Sequence, residues 1–333
     1  MSLRLVQYMA GGGRRVGCVA DAETLVRLDG VHTVYALARR AIAAGETLAA
    51  LVERHSGATR DDYAAVVAQG RLLPPLDHPD PAHCLVTGTG LSHLGSADAR
   101  DAMHRKFAEG GEAALSDSMK MFRMGLEGGK PPAGRTGVQP EWFWKGDGSW
   151  VVPPGGALAM PEFAEDGGEE PEVCGLYVVG DDGQPFRVGW ALGNEFSDHI
   201  MERGNYLWLA HSKLRQSSFG PELLLGELPG DVQGRSRILR GGKVLWEKPF
   251  ATGEANMSHA VANLEHHHFK YASFRRPGDV HVHFLGTATV SFADKVELRA
   301  GDIFEISAPP FGRPLVNTLT RQAPLAGGGV RPL

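Results

Sequence analysis

Glu170 and Glu172 stand two residues apart, at the start of the apolar run 173–179. On a strand, residues i and i+2 share a face. The two carboxylates therefore point the same way, where the strand enters the core. Like charges at a buried edge are costly unless a cation neutralises them. Downstream come Asn194-Glu195 and then Lys213, a third acid and a lysine that can converge on the same place. This is the pattern of a divalent-metal site with Glu170, Glu172 and Glu195 as its ligands. Taken singly, each residue has a plainer reading. Residues 165–170 resemble a solvated acidic loop, and an acid after a strand often opens a helix. Order and context separate the two readings.

The elements that must position these groups come from a chain of 333 residues, 42% apolar and 22% charged, with a net charge of −5. There is no basic stripe, which argues against nucleic-acid binding. No apolar run is long enough for a membrane span, and the first 13 residues lack a signal-peptide core. The three cysteines, Cys18, Cys84 and Cys174, lie in apolar, strand-like segments. They read as reduced thiols of a cytoplasmic protein. With 44 glycines and 21 prolines, turns and short strands dominate. The fold class expected is α+β and β-rich rather than a doubly wound sheet.

Residues 4–8, 15–19 and 24–28 read as strands. A helix follows from Val34, with Thr33 as N-cap and Gly45 as its stop, and a second begins at Leu48 and ends before Gly57. The four prolines at 74, 75, 79 and 81 form a stiff connector. They divide a small N-terminal α/β domain (1–75) from a larger domain (83–333). In the larger part, 83–87, 172–179, 186–194, 280–285 and 302–307 read as strands. Gly241-Gly242 joins a hairpin, and 256–270 reads as a helix. The polar, glycine-rich stretch 96–137, with a helix at 116–124, reads as a lid. His266-His267-His268 cannot share one ion, because successive helical residues point about 100° apart. His281 and His283 share a strand face and read as packing or hydrogen-bonding residues.

In order along the chain stand Pro140-Glu141-Trp142-Phe143-Trp144-Lys145, Glu170-Pro171-Glu172, Gly193-Asn194-Glu195-Phe196-Ser197, Lys213 and Phe219-Gly220-Pro221. Leu285-Gly286-Thr287 and Ala300-Gly301-Asp302-Ile303 follow. This series resembles the fumarylacetoacetate hydrolase family over residues 83–320, with Glu195 where the family has aspartate. The stretch 205–213 is most similar to the 2-keto-3-deoxyarabinonate dehydratase branch. The resemblance implies a mixed β-sandwich roll, a homodimer, and Mg²⁺, with Mn²⁺ or Ca²⁺ as alternatives, on Glu170, Glu172 and Glu195. It also implies that Glu141 faces substrate, that Lys213 faces the site as a catalytic residue holding the substrate's carboxylate or keto oxygen, and that Lys145, Thr287 and His93 line the substrate.

Three carboxylates leave about three positions open on octahedral Mg²⁺, and a 2-oxo acid can fill two of them. An enolate formed there serves two reactions. In sugar-acid catabolism, a lyase would use Glu141 to take the C3 proton of a 2-keto-3-deoxy aldonate as its 4-hydroxyl leaves. A hydrolase of a 2,4-diketo acid would need a base for water instead, and His104, one helical turn from Asp101, is the candidate. The ligand expected in either case is a small 2-oxo acid.

Overall fold

The computed structural model describes residues 2–95, 116–324 and 329–333. His104 and Asp101 lie outside the described residues. The chain opens with β1 (Arg4–Ala10), β2 (Gly13–Val19), β3 (Thr24–Leu28) and β4 (Ser56–Asp62). Helices Val34–Ala44 and Leu48–His55 lie between β3 and β4. Thr33 caps the first, its side chain accepting from the Ala36 amide, and Gly45 ends it at φ 64°, a conformation glycine adopts without cost.

The next strands are β5 (Cys84–Gly88), β6 (Phe143–Asp147), β7 (Val151–Val152), β8 (Ala157–Met160), β9 (Pro171–Val179), β10 (Pro185–Asn194), β11 (Ser217–Phe219) and β12 (Leu223–Leu224). The chain closes with β13 (Val232–Arg240), β14 (Lys243–Thr252), β15 (Val280–Phe284), β16 (Ile303–Ser307) and β17 (Leu315–Arg321). Helix Asp117–Gly128 precedes β6, and helix Val261–Phe269 precedes β15.

A 12-stranded sheet runs in the order β4-β3-β2-β1-β12-β10-β9-β15-β5-β6, with β11 and β7 attached off this path. A 5-stranded sheet, β14-β13-β16-β17-β8, packs beside it. The β-rich α+β expectation is met. Residues 1–75 share the large sheet through the β1–β12 pair. Leu5, Val16, Val34 and Leu37 lie in one apolar cluster with Val86, Cys174, Leu176 and Val282. The proline connector is tied back onto β1, where the Gln7 side chain donates to the Pro74 carbonyl at 2.6 Å.

All nine residues of β9 are buried, because its sheet neighbours β10 and β15 flank it and apolar clusters cover both faces. At the β13–β14 hairpin, Gly241 and Gly242 take φ 57° and 77°, the pair of positive angles that a type I′ turn requires. No helix among the described residues is long and apolar enough to cross a membrane.

Candidate metal and active site

β9 and β10 are antiparallel, and their register brings the acids together. Glu172 pairs with Gly193 and Pro171 with Asn194, so the start of one strand lies beside the end of the other. One residue beyond that pairing, the Glu195 amide donates to the Glu170 carbonyl at 3.1 Å. One oxygen each of Glu170, Glu172 and Glu195 lies within 4.8 Å of the others. All three side chains are buried.

Lys213 ends helix Leu209–Lys213 and turns its ammonium into this cluster. It donates to Glu170 Oε1 at 2.5 Å, to Glu195 Oε2 at 2.8 Å and to Ser197 Oγ at 3.1 Å. Its Nζ also lies 4.9 Å over the Phe143 ring. Burial works against its charge, but Glu170 and Glu195 outweigh that and hold it protonated. Burial pushes Glu170 up as well, yet Lys213 and His199 leave it well below the ordinary carboxylate range.

Glu172 is different. Its Oε2 accepts the Gly286 amide at 2.7 Å, while its Oε1 is buried with no partner. Burial, then Glu195 and Glu170, push its carboxyl well above the ordinary value. A buried oxygen without a donor, facing two further carboxylates, fits a hard divalent cation such as Mg²⁺. Burial and Glu170 raise Glu195 to about 7, against the pull of Lys145 and Lys213.

Glu141 sits two residues before Phe143 and four before Lys145, and its carboxyl is buried. Its Oε1 accepts the Tyr206 hydroxyl at 3.0 Å. Gly90 packs against its other oxygen, where a Cβ would lie 1.8 Å away. Burial raises the Glu141 carboxyl, opposed by Tyr206 and Lys213. A cavity of about 290 Å³ beside it is lined by Met121, Gln139, Trp142, Tyr206 and Tyr271. A larger cleft, about 750 Å³, is lined by Trp144, Trp150, Phe163 and Trp208, and none of the three acids borders it.

Two residues expected to line the substrate, Lys145 and His93, lie in the interior of the structure. The Lys145 ammonium pairs with Glu195 Oε1 and donates to the carbonyls of Glu195 (2.9 Å), Phe196 (2.9 Å) and Lys213 (3.0 Å). With its donors engaged and its side chain 1% exposed, it serves as an internal counter-ion. His93 is likewise enclosed, with Nε2 against Thr252 Oγ1 at 2.9 Å and Nδ1 against Ser92 Oγ at 3.1 Å. Burial lowers it to about 3, so it stays neutral and backs the Gly286 turn. Thr287 follows Gly286 directly and is half-buried, its Oγ1 accepting the Thr289 amide at 3.2 Å.

Sequence reasoning missed His199. Its Nε2 lies 3.2 Å from Glu170 Oε1, and its Nδ1 3.2 Å from Asp166 Oδ2. Carboxylates only accept, so both ring nitrogens donate. Burial opposes this charge, but the two carboxylates raise the imidazole to about 10. Glu169, also missed, accepts the Ser291 amide and hydroxyl, both at 2.8 Å, and so anchors the loop after Thr287.

No protein-family model and no curated relative matches the sequence. Solved structures do. The apo form of 2-keto-3-deoxy-D-arabinonate dehydratase matches with a TM-score of 0.67 at 20% identity, covering 96% of this chain and 100% of that one. The same dehydratase complexed with magnesium and 2,5-dioxopentanoate matches with 0.67 at 20% identity, over 96% and 99%. The fumarylacetoacetate hydrolase of psychrophilic Exiguobacterium antarcticum matches with 0.59 at 15% identity, over 96% and 100%. The chain has the fold that these enzymes share.

Proposed function

We propose that this protein is a Mg²⁺-dependent lyase that dehydrates a 2-keto-3-deoxy aldonate. The observation that carries the reading is Glu141, a buried carboxyl held by Tyr206 at 3.0 Å and within electrostatic reach of Lys213. It borders a small cavity. Glu170, Glu172 and Glu195 would hold the cation, Mg²⁺ in the first instance and Mn²⁺ or Ca²⁺ as substitutes. When bound, the cation polarises the head group of a 2-oxo acid. A similar fold has been solved with magnesium and 2,5-dioxopentanoate, itself a 2-oxo acid, which supports that head group.

The chain's own groups divide the remaining work. Glu141 takes the C3 proton and returns it to the departing 4-hydroxyl, which leaves as water, and its raised proton affinity suits both halves of that exchange. Lys213, held as an ammonium, adds positive charge beside the substrate's carboxylate or keto oxygen. Thr287, directly after Gly286, would meet the substrate. Among the described histidines, His93 is enclosed and His199 is bound to two carboxylates. Neither of these two offers a free nitrogen to activate water.

The test is a product screen with Mg²⁺. 2-Keto-3-deoxy-pentonates, 2-keto-3-deoxy-hexonates and acylpyruvates are offered in turn. A dioxo acid from a deoxy-aldonate is expected. Pyruvate plus a carboxylate from an acylpyruvate would replace this reading with C–C hydrolysis. We extend the reading to a cytoplasmic homodimer, which fractionation and sedimentation would check.

A further inference from the structure

We propose that His199 is a positioning residue for the metal-ligand set, coupling Glu170 to Asp166 and fixing which Glu170 oxygen is offered to the cation. The proposal rests on the metal reading above.

Glu170 Oε1 receives two donors, Lys213 Nζ at 2.5 Å and His199 Nε2 at 3.2 Å. Among the described residues, no hydrogen bond reaches Oε2. The end of a glutamate side chain turns almost freely in a broad, two-fold well. Donors on one oxygen alone therefore decide the direction in which the other points. Lys213 is a poor anchor by itself, because it also serves Glu195 and Ser197. His199 adds a donor whose position is fixed from several sides.

The ring is held on its far side by Asp166 at 3.2 Å. It stacks on Phe292, with centroids 5.3 Å apart and planes at 20°. Gly168 permits this approach, since a Cβ there would lie 2.5 Å from His199 Nδ1. The preceding residue, Asp198, is itself immobilised. It caps the Met201 amide at 3.0 Å, accepts from Arg215 at 3.0 Å and receives the Glu165 amide at 3.0 Å. Gly168 and Ser197 also exchange backbone hydrogen bonds at 2.9 and 3.0 Å. This ties the acidic loop carrying Asp166 and Glu170 to the segment carrying His199. The chain Asp166–His199–Glu170 thus has both ends in one braced unit, as outer-shell partners of metal ligands do.

The experiment is calorimetric Mg²⁺ titration of the full chain, with unfolding in EDTA as the measure of fold. His199→Asn places an amide near Nδ1, so it keeps Asp166 and loses Glu170. His199→Gln places an amide near Nε2, so it keeps Glu170. Asp166→Ala removes the anchor. His199→Asn is expected to weaken Mg²⁺ by about 10- to 100-fold, the usual effect of losing such a partner, with unchanged unfolding in EDTA. His199→Gln should recover most of the affinity, and Asp166→Ala should fall between them. Turnover at saturating Mg²⁺ should return toward the parent kcat, the defect appearing as a raised Mg²⁺ requirement.

Equal affinity of folded His199→Asn and the parent would overturn the proposal. So would equal weakening by Asn and Gln, which would make ring bulk rather than the Nε2 donor responsible. If His199→Asn does not fold, Asp166→Ala decides, and parental affinity in it is the overturning result. A parent that binds no Mg²⁺ would instead remove the metal reading itself.

Discussion

The Lys145 ammonium and the Glu195 carboxylate form an ion pair with 1% and 0% of their side chains exposed. Three backbone carbonyls share the ammonium's hydrogens with that carboxylate. Breaking such a pair from one side strands a charge in the interior, at a cost of about 3–5 kcal/mol. Lys145→Ala is therefore expected to lower stability by about that amount in urea denaturation. Retained stability with only a raised KM would return Lys145 to a substrate-binding role.

Glu172→Gln bears on the cation. The amide keeps the shape but removes the charge that Glu170 and Glu195 repel. Mg²⁺ binding by calorimetry should vanish, while the unfolding midpoint in EDTA stays level or rises. Parental Mg²⁺ affinity in this variant would remove Glu172 from the ligand set.

Glu141→Gln separates base from metal. Loss of a positioned base typically costs about 10²- to 10⁴-fold in rate, and dehydration should fall by that range with Mg²⁺ affinity unchanged. Tyr206→Phe addresses the same carboxyl. The Tyr206 hydrogen bond holds Glu141 down against the effect of burial, so its loss raises the carboxyl further. Glu141 must be ionised to take a proton, and the acid limb of kcat/KM should move to higher pH. A shift to lower pH would contradict the assignment.

Between helix Val261–Phe269 and the large sheet lies a group of neutral histidines. His268 Nε2 meets His281 Nδ1 at 2.9 Å, and His283 Nδ1 meets Thr87 Oγ1 at 2.8 Å. Burial lowers His281 to about 4 and His283 to about 3, and pushes His268 well down. Unfolded histidine titrates near 6.5. Below that pH the unfolded chain takes up protons that the folded chain refuses. The stability these residues contribute is thus present above pH about 6.5 and lost as pH falls toward 4, at up to about 1.4 kcal/mol per pH unit for each. Denaturant titrations across this window should show the slope, and His283→Gln should lessen it. An identical slope in the variant would exclude His283 as a contributor.

The three acids were legible because each sits at a strand end, and period-two geometry fixes where Glu170 and Glu172 point. The β13–β14 hairpin was legible because Gly-Gly between alternating runs has few other uses. β4, Ser56–Asp62, was not expected, since its residues are small or polar and mostly exposed. Only pairing with β3 makes it a strand. β17 went unassigned although Leu315, Asn317 and Leu319 alternate inward. His199 left no local signal, because its partners stand 33 and 29 residues away. The partners of Lys145 leave no local signal for a related reason. A lysine in an aromatic strand gives no hint that three carbonyls and a carboxylate await its ammonium.

β6 ends the large sheet, paired through β5 alone and with a register shift between Val86 and Thr87. Glu141 stands at the head of this strand, whereas Glu172 belongs to β9, enclosed by β10 and β15. Edge strands open at lower free energy than central ones. Amide protons near 141–147 should therefore exchange with solvent sooner than those of 172–179. As denaturant rises, turnover should therefore fail before the strands around Glu172 open.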